Sequence, residues 1–110
     1  MEHRVQYLKD DNGHYVGCIA IKEHPAHPGE HYALVEYRVS VRNPADQFDK
    51  DVARHLALGR MVETPYTVRV PADPNMHEVS HAIMKDIARD SSEPSRARRA
   101  AKLWLRRNGR

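Results

Sequence analysis

The sequence predicts an α+β fold, in which residues 1–110 form one domain with a four-stranded, mainly antiparallel sheet and helices packed on one face. Two observations lead to this prediction. Four segments have the residue pattern of strands, and three segments begin with helix start signals, in the order β-β-β-α-β-α-α. The length of 110 residues allows one modest hydrophobic core but not two.

The predicted strands cover residues 3–8, 15–22, 33–42 and 66–70. The first two flank an Asn-Gly step, which readily takes positive φ and so favours a hairpin turn. The second strand is apolar at successive positions, as expected of a central strand that is buried on both faces. The third alternates apolar and polar residues, so we expect one of its faces to be in water. The side chains expected on that wet face are Glu36, Arg38, Ser40 and Arg42.

Each of the first two predicted helices starts at a polar residue followed by proline, a pair that suits an N-cap and the first helical position. Asn43 and Pro44 start the first helix, and Asp73 and Pro74 start the second, which runs to about residue 89. A basic C-terminal helix covers residues 93–107. Helical spacing also predicts the buried stripes. They are Phe48, Val52 and Leu56 in the first helix, and Met76, Val79, Ile83 and Ile87 in the second.

The positive charge of the chain is concentrated at its C-terminal end. Residues 91–110 carry seven basic side chains and one acid, a net charge of +6, whereas residues 1–90 sum to −3. Such a cationic segment favours nucleic acid, an acidic protein surface or anionic lipid over a neutral partner. The residues assigned to partner or nucleic-acid binding are Arg96, Arg98, Arg99, Lys102, Arg106 and Arg107.

The same C-terminal helix has an apolar side. Its small residues permit close packing on the body of the domain, and Trp104 is its one large anchor. The residues of this side are Ala97, Ala100, Ala101 and Trp104. The arginines could therefore serve only to solvate a docking helix and to pair with the acidic body. The aromatic signature of common RNA-binding modules is missing from the sequence.

Residues 77–81 read His-Glu-Val-Ser-His, a match to the H-E-x-x-H pattern of zinc hydrolases. In such sites two imidazoles one helical turn apart bind the zinc ion, and the glutamate acts as general base. We interpret the match as chance, because the chain has eight histidines and His77 and His81 lie away from the predicted apolar stripe. A zinc-dependent hydrolase using His77, Glu78 and His81 is the least favoured alternative.

A second group of histidines, His24, His27 and His31, lies in a loop with two prolines. Under the zinc hypothesis one of them would supply the third ligand. Without cysteines in this segment, we interpret it as a solvent loop or as an adjustable surface for a partner.

Other catalytic chemistry is weak in the sequence. The five glycines are scattered singly, so there is no glycine-rich phosphate loop, and Cys18 lies in a predicted central strand, where a thiol is usually inert. We therefore expect no enzyme activity, no catalytic residues and no cofactor. The single cysteine and the lack of a long apolar run favour a cytoplasmic location without membrane contact.

The segment 39–61 resembles small accessory proteins of tailed bacteriophages. Those proteins carry a strand, an asparagine/proline/aspartate turn, an aromatic residue and a helix that closes on alanine-x-glycine-arginine. The matching positions are Asn43, Pro44, Asp46, Phe48, Ala57, Gly59 and Arg60. The resemblance covers roughly a fifth of the chain. It implies a host-directed protein that acts by binding host machinery, and it brings no catalytic residues.

Small size, charge asymmetry and this resemblance together favour a phage-type accessory protein in the host cytoplasm. We expect stoichiometric binding to a host protein or nucleoprotein complex, for example as an inhibitor of host defence. Direct nucleic-acid binding through the C-terminal helix is the alternative. An exposed, partly alternating strand or the alanine-rich helix face could also mediate a homodimer, which stays an alternative at this point.

Overall fold

In the part of the chain that the structure describes, four strands and three helices form the fold, in the order that the sequence predicts. A computed structural model of the chain describes residues 3–43 and 47–108. Its elements are β1 (His3–Lys9), β2 (Tyr15–His24), β3 (Tyr32–Val41), α1 (Lys50–Glu63), β4 (Tyr66–Pro71), α2 (Met76–Arg89) and α3 (Ser95–Asn108). All four strands pair antiparallel in one sheet, so the α+β class and the element order are confirmed.

The sheet follows the chain order β1-β2-β3-β4, which makes β1 and β4 its two edges. β4 pairs only with residues 32–37 of β3. Further along β3, the guanidinium of Arg60 in α1 donates to the carbonyl oxygen of Val39 at 3.0 Å. The hairpin between β1 and β2 turns at Gly13, whose φ of +80° agrees with the Asn-Gly prediction.

The helices cover both faces of the sheet. Because strand side chains alternate, Ile19 and Ile21 of β2 face one side while Cys18 and Ala20 face the other. The first pair lies in the main core with α2 and α3, and the second pair lies in a smaller core with α1. The expectation that all helices pack on one face is therefore wrong. Residues 16–21 of β2 are buried on both sides of the sheet, so each face needs a covering helix.

α1 begins later than predicted. Its N-cap is Asp49, whose Oδ1 accepts hydrogen bonds from the backbone N–H groups of Asp51 at 2.9 Å and Val52 at 3.2 Å. The prediction that Asn43 caps this helix is therefore wrong. Pro44 and Asp46, which the sequence placed at the helix start, lie outside the described residues.

α1 also buries a different side from the predicted one. Val52 and Leu56 are about half exposed, at 54% and 49%, whereas three smaller or more flexible residues contact the sheet. These buried residues are Ala53, Ala57 and Met61. Alanine lets the helix axis come close to the sheet, so close that Ser40 Oγ in β3 donates to the carbonyl oxygen of Ala53 at 2.8 Å. Ser40 is thus buried, which corrects its assignment to a wet face.

The N-cap of α2 is Asn75, just after the predicted Asp73-Pro74 pair. Met76, predicted as the first residue of the buried stripe, is 69% exposed because it lies in the first turn, beyond the core. The rest of that stripe is confirmed, since Val79, Ile83 and Ile87 are fully buried.

Each of the three helices has 14 residues. At 1.5 Å per residue, each is about 21 Å long. Within the described part of the chain, no helix is both long enough and apolar enough to span a membrane.

Candidate binding surface on the third helix and the first strand

α3 docks on the main core through small residues. Ala97, Ala100 and Ala101 are buried, and Trp104 and Leu105 pack partly buried against the same core. This confirms the predicted apolar side of the helix. Because the contact residues are short, α3 lies close to the sheet and its long basic side chains are left for the opposite side.

Two of the six assigned cations hold α3 in place. Arg96 donates from Nη1 to the carbonyl oxygen of Arg42 at 2.6 Å, which ties the helix to the end of β3. Arg98 donates from Nε to the carbonyl oxygen of Glu93 at 3.2 Å, in the loop that precedes the helix. Both side chains are half-buried, so they stabilise the position of α3 whether or not they also contact a partner.

Three other cations form a line on the solvent side of α3. Arg99, Lys102 and Arg106 are exposed, and their spacing of three and four residues places them within about 60° around the helix and about 10 Å along it. We call these three residues the cationic stripe. The N-terminal end of this stripe lies near acids, because Arg99 lines a hollow of about 180 Å³ together with Asp10 and Asp11 of the hairpin tip.

The sixth cation, Arg107, points into a groove between α3 and β1. The groove has a volume of about 270 Å³. On the strand side it is lined by four successive residues, 6–9, and on the helix side by residues that include Leu103, Trp104 and Arg107. Lys9 adds a second cation at the end of β1. We call this the α3–β1 groove.

The residues of the His-Glu-Val-Ser-His segment take part in local structure. Glu78 and Asn75 form a capping box: Asn75 Oδ1 accepts from the Glu78 N–H at 2.7 Å, and Glu78 Oε1 accepts from the Asn75 N–H at 3.0 Å. A carboxylate held in this way satisfies the helix start and is turned towards the backbone. Sequence reasoning missed the box because it placed the N-cap two residues earlier, at Asp73.

The two histidines of this segment lie side by side on α2. Their ring centroids are 5.9 Å apart, and His77 also stacks on Trp104 of α3. They border an open hollow of about 350 Å³ that also contains the side chains of Arg69 and Lys85. Among residues 3–43 and 47–108, no three histidine, cysteine or acidic side chains are placed to hold one metal ion. The histidine loop lies elsewhere: His24 pairs with Glu36 across β2 and β3.

A buried polar cluster links β3 to the end of α2 and was not predicted. The hydroxyl of Tyr37 donates to Asp86 Oδ2 at 2.5 Å, and burial is the main reason why the pKa of Tyr37 lies far above its usual value. Glu93 is only 6% exposed, and no hydrogen-bond donor in the described residues reaches its Oε2. Burial, followed by repulsion from Asp90, raises the pKa of Glu93. Forty-nine residues separate Tyr37 from Asp86, so no local pattern could have found their contact.

An aromatic cluster beside β1 was also missed. Tyr7, Tyr15 and Phe48 pack with ring centroids 5.5 to 6.2 Å apart. The ammonium of Lys50 lies 4.6 Å from the centre of the Tyr15 ring, and that of Lys9 lies 5.2 Å from it. Lys9 and Lys50 thus place two cations beside this aromatic cluster.

Cys18 agrees with the expectation of an inert thiol. It is fully buried between β2 and α1, and burial raises its pKa to about 11. The thiolate is the reactive form of cysteine, so this side chain has little nucleophilic character near neutral pH.

No protein-family model, curated protein or solved structure matches the chain with significant similarity.

Proposed function

We propose that this chain is an accessory protein that acts by stoichiometric binding to a host protein or nucleoprotein complex. The observation that carries the proposal is the position of α3. The cationic stripe and the α3–β1 groove lie on the same helix beside a sheet edge, and they would offer charge and apolar surface to a partner. The resemblance of residues 39–61 to small phage proteins supports a host-directed role, including inhibition of a host defence factor.

The chemistry of the described side chains favours binding over catalysis. Glu78 is engaged in a capping box, the Cys18 thiol is buried, and the hydroxyl of buried Tyr37 donates to the half-buried Asp86. A catalytic site needs a shaped, sheltered cleft with convergent polar groups. The hollow at His77 and His81 is open rather than sheltered, and Glu78 in its lining is engaged in the capping box.

The proposal is tested by capture from a host lysate. Immobilised protein is incubated with the lysate with and without nuclease, washed at two salt concentrations, and the bound proteins are identified and reconstituted in pure form. We expect a partner that survives nuclease and forms a complex of fixed molar ratio. If nothing survives nuclease and moderate salt, the proposal is wrong.

A second candidate function is direct nucleic-acid binding, which the cationic stripe favours. Three exposed cations on one helix side would contact phosphates and release counterions, so affinity would fall with salt. The aromatic rings of Tyr7 and Tyr15, next to Lys9 and Lys50, would add stacking with single-stranded bases.

Charge reversal tests this second candidate. In the stripe variant, Arg99, Lys102 and Arg106 are each changed to Glu. The control variant reverses three exposed cations on the other helices, Arg54, Lys85 and Arg89. Nucleic-acid binding predicts that only the stripe variant loses affinity for a fluorescent oligonucleotide and that the salt slope of log K falls in magnitude by about three. Equal losses in both variants would show an unspecific charge effect.

A further inference from the structure

We propose that the α3–β1 groove binds an extended acidic peptide segment of the partner, which adds to the sheet as a strand along the outer edge of β1. The inference rests on the proposed function and specifies its partner surface. It follows from three features of the described residues: an edge strand without an outer neighbour, a groove lined by consecutive residues of that strand, and the charge of the groove walls.

β1 has a hydrogen-bonded strand on one side only, because it is the first strand in the sheet order. In an antiparallel edge strand, every second residue directs its N–H and C=O outward, where another strand can pair with them. β1 has seven residues, enough to pair with a short peptide. The strand carries no proline, whereas the other edge strand, β4, includes Pro71.

The lining of the groove shows that it faces the strand edge. Successive side chains of a strand point to opposite faces of the sheet, so a cavity over one face would contact alternate residues. The α3–β1 groove is lined by Gln6, Tyr7 and Leu8 in succession, and by Lys9 beyond the register shift between Leu8 and Lys9. Gln6 and Leu8 belong to the face under α3, where Gln6 accepts a hydrogen bond from Ser80 Oγ at 2.8 Å. A strand laid in this groove would therefore lie beside the β1 backbone.

The groove walls determine which peptide fits. On the helix side, Leu103 and Trp104 offer apolar surface to alternate side chains of an added strand. Lys9 and Arg107 are the two cations that line the groove. An extended segment that alternates apolar β-formers with Asp or Glu matches both properties, since strand addition takes affinity from the backbone and specificity from alternate side chains.

The neighbouring hairpin tip distinguishes a peptide from a nucleic acid. Asp10 and Asp11 lie beside Arg96 and Arg99 at the N-terminal end of α3. A nucleic acid that followed the whole helix would bring its uniform negative charge against these two carboxylates. A short peptide in the C-terminal part of the groove avoids them. The groove thus favours the peptide.

The test uses a library of random octapeptides on beads, sorted for binding to the wild-type protein and counter-sorted against Arg107→Glu. Arg106→Glu is the matched control, because it makes the same charge change one residue away, outside the groove lining. We expect enriched peptides rich in Asp and Glu, with affinity about tenfold lower for Arg107→Glu and changed less than about threefold for Arg106→Glu. Circular dichroism checks that both variants fold.

Strand addition is then tested with the backbone of the best peptide. It is synthesised twice, with N-methyl groups on alternate amides in one register or in the other. An added strand pairs through one set of amides only, so one isomer should lose binding about tenfold or more while the other retains it. In amide spectra of the protein, the shifts should lie on β1 and on α3 from residue 103 onward.

If no peptide binds better to wild type than to Arg107→Glu, or if both N-methyl isomers bind alike, the groove inference is wrong. If lysate capture still yields a nuclease-resistant partner in that case, the proposed function stands with a different surface. If an oligo-dT probe binds and Arg106→Glu abolishes that binding, the surface recognises nucleic acid instead.

Discussion

The imidazole of His77 lies against the indole of Trp104, with ring centroids 5.8 Å apart and ring planes 30° from parallel. This contact joins the first turn of α2 to the last turns of α3. It gives the first histidine of the His-Glu-Val-Ser-His segment a role in packing. The helix that carries the candidate binding surface is therefore held by an aromatic pair at one end and by Arg96 at the other.

The His77–Trp104 contact should stabilise the docking of α3. Trp104→Ala removes a large, partly buried side chain and should lower the free energy of unfolding by about 2–3 kcal/mol. His77→Ala should cost about 0.5–1 kcal/mol, and the double variant should show a coupling of about 0.5–1.5 kcal/mol. Urea unfolding measures all three values. Met76→Ala, at a neighbouring exposed position, is the control; strictly additive losses would contradict the contact.

Glu78 should act as a capping residue. Glu78→Ala should cost about 1 kcal/mol of stability in the presence of a metal chelator, because it breaks the capping box with Asn75. Glu78→Gln should retain most of that stability, since an amide oxygen can accept the same hydrogen bond. Thermal unfolding with chelator and with added zinc separates the two roles. A marked zinc-dependent stabilisation of wild type that is lost in His81→Ala would support the metal hypothesis instead.

Glu93 should make stability depend on pH. Because the pKa of Glu93 is raised in the folded state, the folded protein binds the proton of this carboxyl more tightly than the unfolded chain does. The favourable contribution is present below the usual pKa of 4.5 and is lost as pH rises through the raised value. Glu93→Gln should therefore match wild type in acid and become more stable than wild type towards pH 7. Unfolding at a series of pH values measures the difference, and a constant difference would contradict the assignment.

Gly17 in β2 should not tolerate a side chain. A Cβ atom there would lie 2.4 Å from the carbonyl oxygen of Ser40 and 2.9 Å from Val41 Cγ1, so the central strands would have to separate. Gly17→Ala should destabilise the protein by about 1–3 kcal/mol. Gly59→Ala is the matched control, because nothing lies within 4 Å of its Cβ and helix propensity should give a gain of about 0.5–1 kcal/mol.

Most of the fold could be predicted from the strand pattern in the sequence. Alternation in β3 and the apolar run in β2 located these two strands, and the Asn-Gly step located the hairpin that joins β1 to β2. The same apolar run in β2 also indicates that the sheet has helices on both faces, because a strand buried on both faces must be covered on both. Three helices packed on one face would leave the other face of β2 uncovered.

The first helix shows why the buried side and the first residue of a helix were harder to predict than the strands. Periodicity selected Phe48, Val52 and Leu56, but Phe48 precedes the helix and packs partly buried against the smaller core. The helix itself buries Ala53 and Ala57, because small residues allow close approach to β3. The candidate surface was found only in part. Charge counting identified the cations of α3, but the division between Arg96, which anchors the helix, and Arg107, which lines the groove, depends on tertiary contacts.

Amide hydrogen exchange of the protein, free and in complex with its nuclease-resistant partner, shows directly whether β1 and α3 form the binding surface. We expect slowed exchange at the outward-facing amides of β1, together with protection of α3 near residues 103–108, and unchanged exchange on α1. Protection confined to α1, or no difference along β1 and α3, would contradict the claim that this edge and this helix form the binding surface.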